Sequence, residues 1–215
     1  MGLKNALPRH RIQGPVNRGC KAILLLESIL LFVLITLSCG TSSHGDICHC
    51  TPSAPDSADY RHAEKHIPLP NIAAQEITVN TILGWPQDTD LPTSQPRTGR
   101  ELQLFHIAQA YLQSTSIKGN DCDIHFEISQ TSSKTAPRVI VETPIDSEYC
   151  PARQKIQAQL AQHGFTLDAN HGGELATALQ VDVLGMAFED FEHNRGSAQV
   201  ATVWELHPAM VTITQ

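Results

Sequence analysis

The sequence predicts a mainly β protein, a small OB-like five-stranded barrel with one helix between strands 3 and 4. Short runs that alternate apolar and polar residues recur through residues 76–215, which is typical of half-buried strands. One segment alone has clear helix composition, and it falls between the third and fourth of five strands. A β-sandwich would need about seven strands. Five strands and one helix therefore favour the small barrel.

The first two segments of this domain are the least regular. Residues 77–85 alternate apolar and polar side chains, and we interpret them as a strand or edge segment that leads into a turn-rich loop. Residues 101–114 are good helix formers, but Phe105, Ile107 and Tyr111 also fall on one face of a strand. Their periodicity alone leaves helix and strand open.

The next segments alternate more clearly. Residues 122–129 place Ile124 and Phe126 on one face of a strand and polar residues on the other. Residues 138–144 form a short β-branched run that ends at Pro144. We expect strands 2 and 3 of the barrel here.

Residues 150–165 give the strongest helix signal in the chain. Pro151 stands at the helix start, Ile156 and Leu160 have i, i+4 spacing, and Gly164 is a stop signal. This is the predicted helix between strands 3 and 4.

The last two strands are longer. Residues 178–191 are interpreted as a strand with Gly185 at a bulge or bend. Residues 201–214 form a final strand that we expect to be interrupted at Pro208, because proline cannot donate a ladder hydrogen bond.

Residues 1–39 are typical of an export leader, a signal peptide or a lipoprotein leader. A basic stretch without acids comes first, and an apolar run at Ile29–Leu37 follows. This run is shorter than the roughly 20 residues that span a bilayer. Ser38 and Gly40 suit ordinary cleavage, whereas Ser38-Cys39 resembles part of a lipobox, so Cys39 is a lipidation candidate and both alternatives stay open. We expect an exported protein, periplasmic or membrane-tethered, that meets a membrane only through its leader or a lipid.

Residues 40–75 are rich in Ser, Pro, Asp and His and lack periodicity, and we interpret them as a flexible linker. His62 and His66 have the i, i+4 spacing of a helical metal pair, but Pro68 and Pro70 follow directly. We therefore expect these histidines to be solvated.

The charge of the exported part limits its partners. Without the five basic residues and one acid of residues 1–38, the chain keeps 10 basic and 21 acidic residues, a formal charge of −11. Nucleic-acid binding depends on basic residues that contact phosphates, so none is expected. An unknown protein or a small neutral or cationic ligand is the expected partner.

Export favours disulfides, because secreted proteins fold under oxidising conditions. Cys122 and Cys150 flank predicted strands, and we predict that they pair with each other. Cys48 and Cys50 fall in the linker, and their spacing does not fit a tetrahedral zinc site.

Four segments resemble those of a group of uncharacterised bacterial exported proteins, in the same order. They share a D-x-H strand, an E-x-P strand end, an aromatic-Asp-aromatic-x-His segment and a C-terminal W-E-[IL]-H-P motif. Here the segments read NDCDIHFEI, RVIVETPID, LGMAFEDFEH and TVWELHPAMVTI. The resemblance covers roughly 101–213 and implies a strand over residues 101–114. It implies a fold more than an activity.

These segments also carry the polar residues that could perform chemistry. Strand alternation puts Glu205 and His207 on one face, opposite Trp204 and Leu206. The candidate polar or ligand cluster consists of Asp123, His125, Glu142, His193, Glu205 and His207. Within it, a divalent metal is a candidate cofactor, with the ligands His125, Glu142, His193 and His207.

Three interpretations of this cluster follow, in order of preference. The cluster is a structural hydrogen-bonded network, a metal site, or a general acid–base pair. The leading functional hypothesis is an envelope-tethered β-barrel binding module of unknown ligand. The alternative is a metal-dependent hydrolase, with a nuclease least favoured because no arginine spacing suits a phosphate transition state. Whether the protein is an enzyme stays open on the sequence.

Overall fold

A computed structural model describes residues 46–87, 91–191 and 196–215. The fold is mainly β, and five strands close into a barrel. They are β2 (Leu104–Ile117), β3 (Ile124–Ser129), β4 (Arg138–Thr143), β5 (Gly173–Glu189) and β6 (Val200–Ile213). Hydrogen bonding runs β2-β3-β4-β6-β5, and β5 returns to β2 to close the ring. The predicted OB-like barrel is therefore confirmed.

One long helix, α3 (Cys150–Gln162), lies in sequence between β4 and β5. Pro151 stands in its first turn, and Ile156 and Leu160 are buried. The chain leaves the helix through Gly164, whose φ of +74° favours glycine. This is the helix that the sequence predicts between barrel strands 3 and 4. Among the described residues, no helix combines the length and apolar character needed to cross a membrane.

A sixth strand and a second short helix precede the ring. The strand β1 (Gln75–Glu76) pairs in parallel with β2 outside the barrel. Residues 77–85, predicted as a strand or edge segment, instead contain the helix α2 (Val79–Leu83). The correction has a local cause, because Thr78 caps the helix by accepting a hydrogen bond from the Thr81 backbone. Val79 and Ile82 are both buried at helical spacing.

The final strand also differs from its prediction. β6 runs without a break through Pro208, where an interruption was expected. The register with β5 shifts between Gly185 and Ala187, opposite His207 and Pro208. A proline that lacks an N–H is accommodated at such a bulge. The predicted irregularity at Gly185 lies at the same place.

The barrel interior is apolar, and the strands nearest the polar cluster are buried on both faces. Phe126, Val141 and Leu206 belong to the hydrophobic core. Every residue of β3 and β4 is buried, including the polar residues that alternate with the core positions. Something must therefore cover the outer face of these strands.

That cover includes residues 46–66, which we call the crossing segment. The predicted linker 40–75 is thus wrong for this part, which packs against the barrel. Arg153 of α3 is fully buried and donates to the Ile47 carbonyl. Arg61 is 3 % exposed and makes a bidentate ion pair with Glu101 at 2.7 and 2.9 Å. A helical turn, α1 (His62–Lys65), ends the segment.

Two disulfides fasten the crossing segment. Cys48 is bonded to Cys150 and Cys50 to Cys122, with Cα–Cα distances of 5.4 and 5.7 Å. The predicted Cys122–Cys150 pair is therefore wrong. The crossing segment passes both barrel cysteines and supplies a partner to each. The proposed lipidation site Cys39 and the leader lie outside the described residues.

Candidate functional site

The polar cluster lies on the outer face of β3, β4 and β6, beneath the crossing segment. Alternation directs Phe126, Val141 and Leu206 into the core. The residues between them, such as His125 and Glu142, point the other way and are still buried. Burial of so many polar groups requires partners for each of them, because an unpaired buried group costs free energy.

His207 is at the centre of the cluster. Its Nδ1 lies 3.1 Å from Glu142 Oε2 and 3.3 Å from Glu205 Oε1, and its Nε2 lies 3.0 Å from Asp123 Oδ2. Burial works to lower the pKa of His207. The three carboxylates outweigh burial and raise this pKa well above its usual value.

Glu142 connects His207 to a second histidine. His125 Nδ1 lies 2.7 Å from Glu142 Oε1, so one carboxylate lies between two imidazoles. Burial favours a higher pKa for Glu142, but hydrogen bonds with His125 and His207 lower it well below its usual value. Burial lowers the pKa of His125, whereas Glu127 and Glu142 raise it, and the net direction is upward. The three groups form a buried charged chain.

The chain continues from His125 to a buried ion pair at the far end of β3. Glu127 Oε1 lies 3.8 Å from His125 Nε2, and Glu127 Oε2 accepts a 2.9 Å hydrogen bond from Arg138. The Ser197 backbone N–H also donates to Glu127, at 2.8 Å. Burial works to raise the pKa of Glu127, but the nearby His125 and the hydrogen bonds from Ser197 and Arg138 lower it to about 2. At this end of the cluster, the contacts with Arg138 and Ser197 mainly hold Glu127 in place.

The crossing segment adds a lysine to the other end. Lys65 is 6 % exposed, and its Nζ lies 3.1 Å from Asp59. Burial lowers the pKa of Lys65, but Glu205, Asp190 and further carboxylates outweigh this and raise it. A fixed positive charge thus lies over the acidic face.

A cavity of about 340 Å³ opens between the crossing segment, the loop after β2 and the loop after β5. OB-folds bind their ligands on this part of the barrel, using the face of strands 2 and 3 and the loops beside it. Two lysines, Lys65 and Lys118, and His125 line the cavity. Its lining also includes five carboxylates, from Asp59, Asp121, Glu142, Asp190 and Glu205. Burial and the charges of Asp123 and Glu142 raise the pKa of Asp121 to about 6.

His66 lines a second cavity, of about 270 Å³, on the other side of Asp59 and Asp121. Its Nδ1 lies 2.7 Å from Asp146 Oδ2, and its Nε2 lies 3.8 Å from Asp123 Oδ2. The rings of His66 and His62 stack at a centroid distance of 3.9 Å. The crossing segment therefore brings imidazoles to the polar cluster from outside the barrel.

Among the described residues, two groups of side chains have ligand atoms close enough to hold a metal ion. One is the buried set Asp123, Glu142 and His207, and the other is the half-buried set Asp59, His62 and His66. In each set the candidate atoms lie within 4.8 Å of one another. Imidazole and carboxylate donors of this kind suit zinc and similar divalent ions.

The structure brings together most of the polar residues that the sequence singled out. These are Asp123, His125, Glu142, Glu205 and His207. His193, the remaining predicted ligand, lies outside the described residues. Sequence reasoning missed Asp146 and Lys65 and set aside His62 and His66. The i, i+4 spacing of the two histidines was the available signal, but the absence of periodicity around them hid their packing.

Comparisons with protein-family models, with curated proteins and with solved structures found no match for this chain.

Proposed function

We propose that this protein is an exported or envelope-tethered binding module that takes a small cationic ligand, such as an amine, in the 340 Å³ cavity of its barrel face. The observation that carries this proposal is the cavity lining, in which five carboxylates face two lysines and one histidine, His125. Lys65 already pairs with Asp59, so negative charge is in excess among the described lining residues.

The size and place of the cavity support a ligand of a few heavy atoms. A volume of about 340 Å³ lies at the lower end of the range for small-molecule sites, roughly 300–1,000 Å³. The barrel face and loops that border it are those that OB-folds use for ligands. Charge-assisted hydrogen bonds from an ammonium group to buried carboxylates are the strong polar contacts available here.

Two disulfides support the exported location. Cys48–Cys150 and Cys50–Cys122 are compatible with an oxidising compartment, and the leader predicted from the sequence agrees with it. Anionic ligands are disfavoured by the same lining, which supports the expectation that nucleic acid is not the partner.

Calorimetry and thermal shift with putrescine and spermidine test the proposal, with glucose as the neutral comparison. We expect the amines alone to bind and raise the melting temperature, with an affinity that falls as salt screens the charges. Asp121→Asn should weaken binding about tenfold, since a hydrogen bond to a charged group contributes about 1.5 kcal/mol.

The exposed Glu148→Gln, outside the cavity, is the matched control and should bind as the wild type does. Preference for glucose over both amines would refute the cationic ligand. Equal amine affinities of the Asp121 variant and the wild type would show that the amine binds outside this cavity.

A metal-dependent hydrolase is the second candidate function. The observation in its favour is the buried group of Asp123, Glu142 and His207, in which Glu142 lies next to the larger cavity. A metal-bound water beside a carboxylate base is a common hydrolytic arrangement. Ester hydrolysis by zinc-loaded protein that is lost in Glu142→Gln would favour it over a pure binding role.

A further inference from the structure

We infer that His66, Asp123 and His207 form a site for one zinc ion, separate from the cavity proposed for the amine. The three residues come from distant parts of the chain. His66 ends the crossing segment, Asp123 precedes β3, and His207 lies in β6. This ligand set shares only His207 with the set predicted from the sequence.

Three of the seven buried side-chain atoms without hydrogen-bond partners among the described residues carry the inference. They are His66 Nε2, Asp123 Oδ2 and His207 Nε2. The side chains are 8 %, 1 % and 1 % exposed, respectively, so water does not satisfy these atoms from the surface. Orphaned buried polar atoms are rare in native proteins and call for an explanation such as an ion.

Asp123 Oδ2 lies close to both imidazole nitrogens. Asp123 Oδ2 lies 3.0 Å from His207 Nε2 and 3.8 Å from His66 Nε2. Asp123 and His207 form a buried ion pair at these atoms but do not meet the geometry of a hydrogen bond. Zinc bonds of about 2.0–2.2 Å in a tetrahedron separate neighbouring ligand atoms by roughly 3.4 Å. These two distances lie on either side of that value.

The opposite atom of each side chain is already held. His66 Nδ1 lies 2.7 Å from Asp146, and His207 Nδ1 lies 3.1 Å from Glu142. Asp123 Oδ1 accepts a 2.8 Å hydrogen bond from the Ile145 backbone N–H. Histidine ligands of zinc regularly have their second nitrogen on a carboxylate, which fixes the tautomer and aims the free nitrogen at the metal. Both histidines have this arrangement.

The neighbouring group Asp59, His62 and His66 is the competing site. Both ring nitrogens of His62 face carboxylates, at 3.1 Å from Asp59 and 3.6 Å from Asp56. Neither His62 nor Asp59 has a buried unpartnered side-chain atom. His62 therefore stacks on His66 without being needed as a ligand.

Three protein ligands leave one position of a tetrahedral zinc ion for solvent, as in sites that exchange ligands. Of the three ligands, His66 lines the 270 Å³ cavity. Two imidazoles and one carboxylate form a known type of zinc ligand set.

Metal analysis and calorimetry with zinc chloride on the full-length chain, after chelator treatment, test the site. We expect about one equivalent of zinc to bind, and cobalt in its place to give the visible absorption of a tetrahedral complex. Asp146→Asn should weaken zinc binding about 10- to 100-fold, the usual effect of removing the carboxylate behind a histidine ligand. His66→Ala and His207→Gln should weaken it further.

His62→Ala is the matched control, because it removes an imidazole that stacks on His66 at 3.9 Å and leaves the three ligands in place. We expect it to bind zinc as the wild type does. Loss of zinc in His62→Ala together with full binding in His207→Gln would overturn the site and place the ion at Asp59. If His207→Gln does not fold, the cobalt spectrum of the wild type decides, and an octahedral spectrum or no binding overturns the proposal. None of these measurements depends on amine binding.

Discussion

The barrel and the crossing segment are ordered by different means. In the barrel, alternate residues such as Phe126 and Leu206 are buried in one apolar core, and hydrogen-bonded ladders close the ring. The crossing segment buries one apolar side chain of that core, Ile47. Two disulfides and the buried Arg61 hold the rest of it.

This difference shows that a segment can be ordered without a periodic pattern of apolar residues. A strand can be recognised in a sequence because every second residue contributes to its buried face. A segment held at a few points needs only those few residues, and the residues between them are free to be Ser, Pro or Asp. The candidate site depends on both kinds of order, since His66 and Lys65 come from the segment and His207 from the barrel.

Removal of the disulfides should have the largest effect. Loss of Cys48–Cys150, with a sequence separation of 102 residues, should lower the free energy of unfolding by about 4 to 5 kcal/mol, because the unfolded chain regains entropy. Replacing both cysteines by serine and measuring urea unfolding tests this. Removal of Cys50–Cys122 as well should release the crossing segment to protease. A segment that stays protected without either bond would show that its noncovalent contacts suffice.

Phe126→Ala should destabilise the barrel by about 4 kcal/mol, since truncation of a fully buried phenylalanine leaves a cavity. Urea unfolding gives the value, and Phe126→Leu should cost less. Because the disulfides are intact, the crossing segment should keep its protease protection in the folded state. Selective cleavage within residues 46–66 would mean that the segment depends on the core more than its contacts indicate.

Arg61→Met should cost about 3 kcal/mol, because it leaves the buried carboxylate of Glu101 without its ion-pair partner. The double variant Arg61→Met/Glu101→Met is the matched control and should be more stable than the single variant, since no charge is left unpaired. Urea midpoints compare the two. A double variant that is less stable than the single one would contradict this account of the anchor.

The smallest effect should be a dependence on acid pH at Glu127. Its pKa is lowered from 4.5 to about 2 in the folded protein, so its contribution to stability is complete above pH 4.5 and is lost as the pH falls toward 2. The stability difference between the wild type and Glu127→Gln should therefore shrink over that range. The exposed Glu148→Gln is the control. A difference that is constant with pH would show that the lowered pKa does not contribute.

The sequence predicted the barrel and most of its polar cluster, because alternation along β3 and β6 reveals both faces of a strand. It did not predict the position of the crossing segment, whose anchors Arg61 and Cys48 are isolated in a polar stretch. The cysteine pairing was wrong because connectivity among cysteines does not follow from sequence alone. The pairing also depends on the path of the crossing segment, which the sequence pattern did not indicate. His66 was set aside for the same reason.

The bond between Cys50 and Cys122 has a consequence for the proposed zinc site. Asp123 follows Cys122 directly, and the chain that carries His66 begins sixteen residues earlier at Cys50. In a reducing compartment both cysteines stay thiols, and this covalent tie between the segment with His66 and the barrel is missing. Zinc capture at the proposed site is then coupled to oxidation. In an exported protein, the disulfide would complete the proposed site only after oxidation.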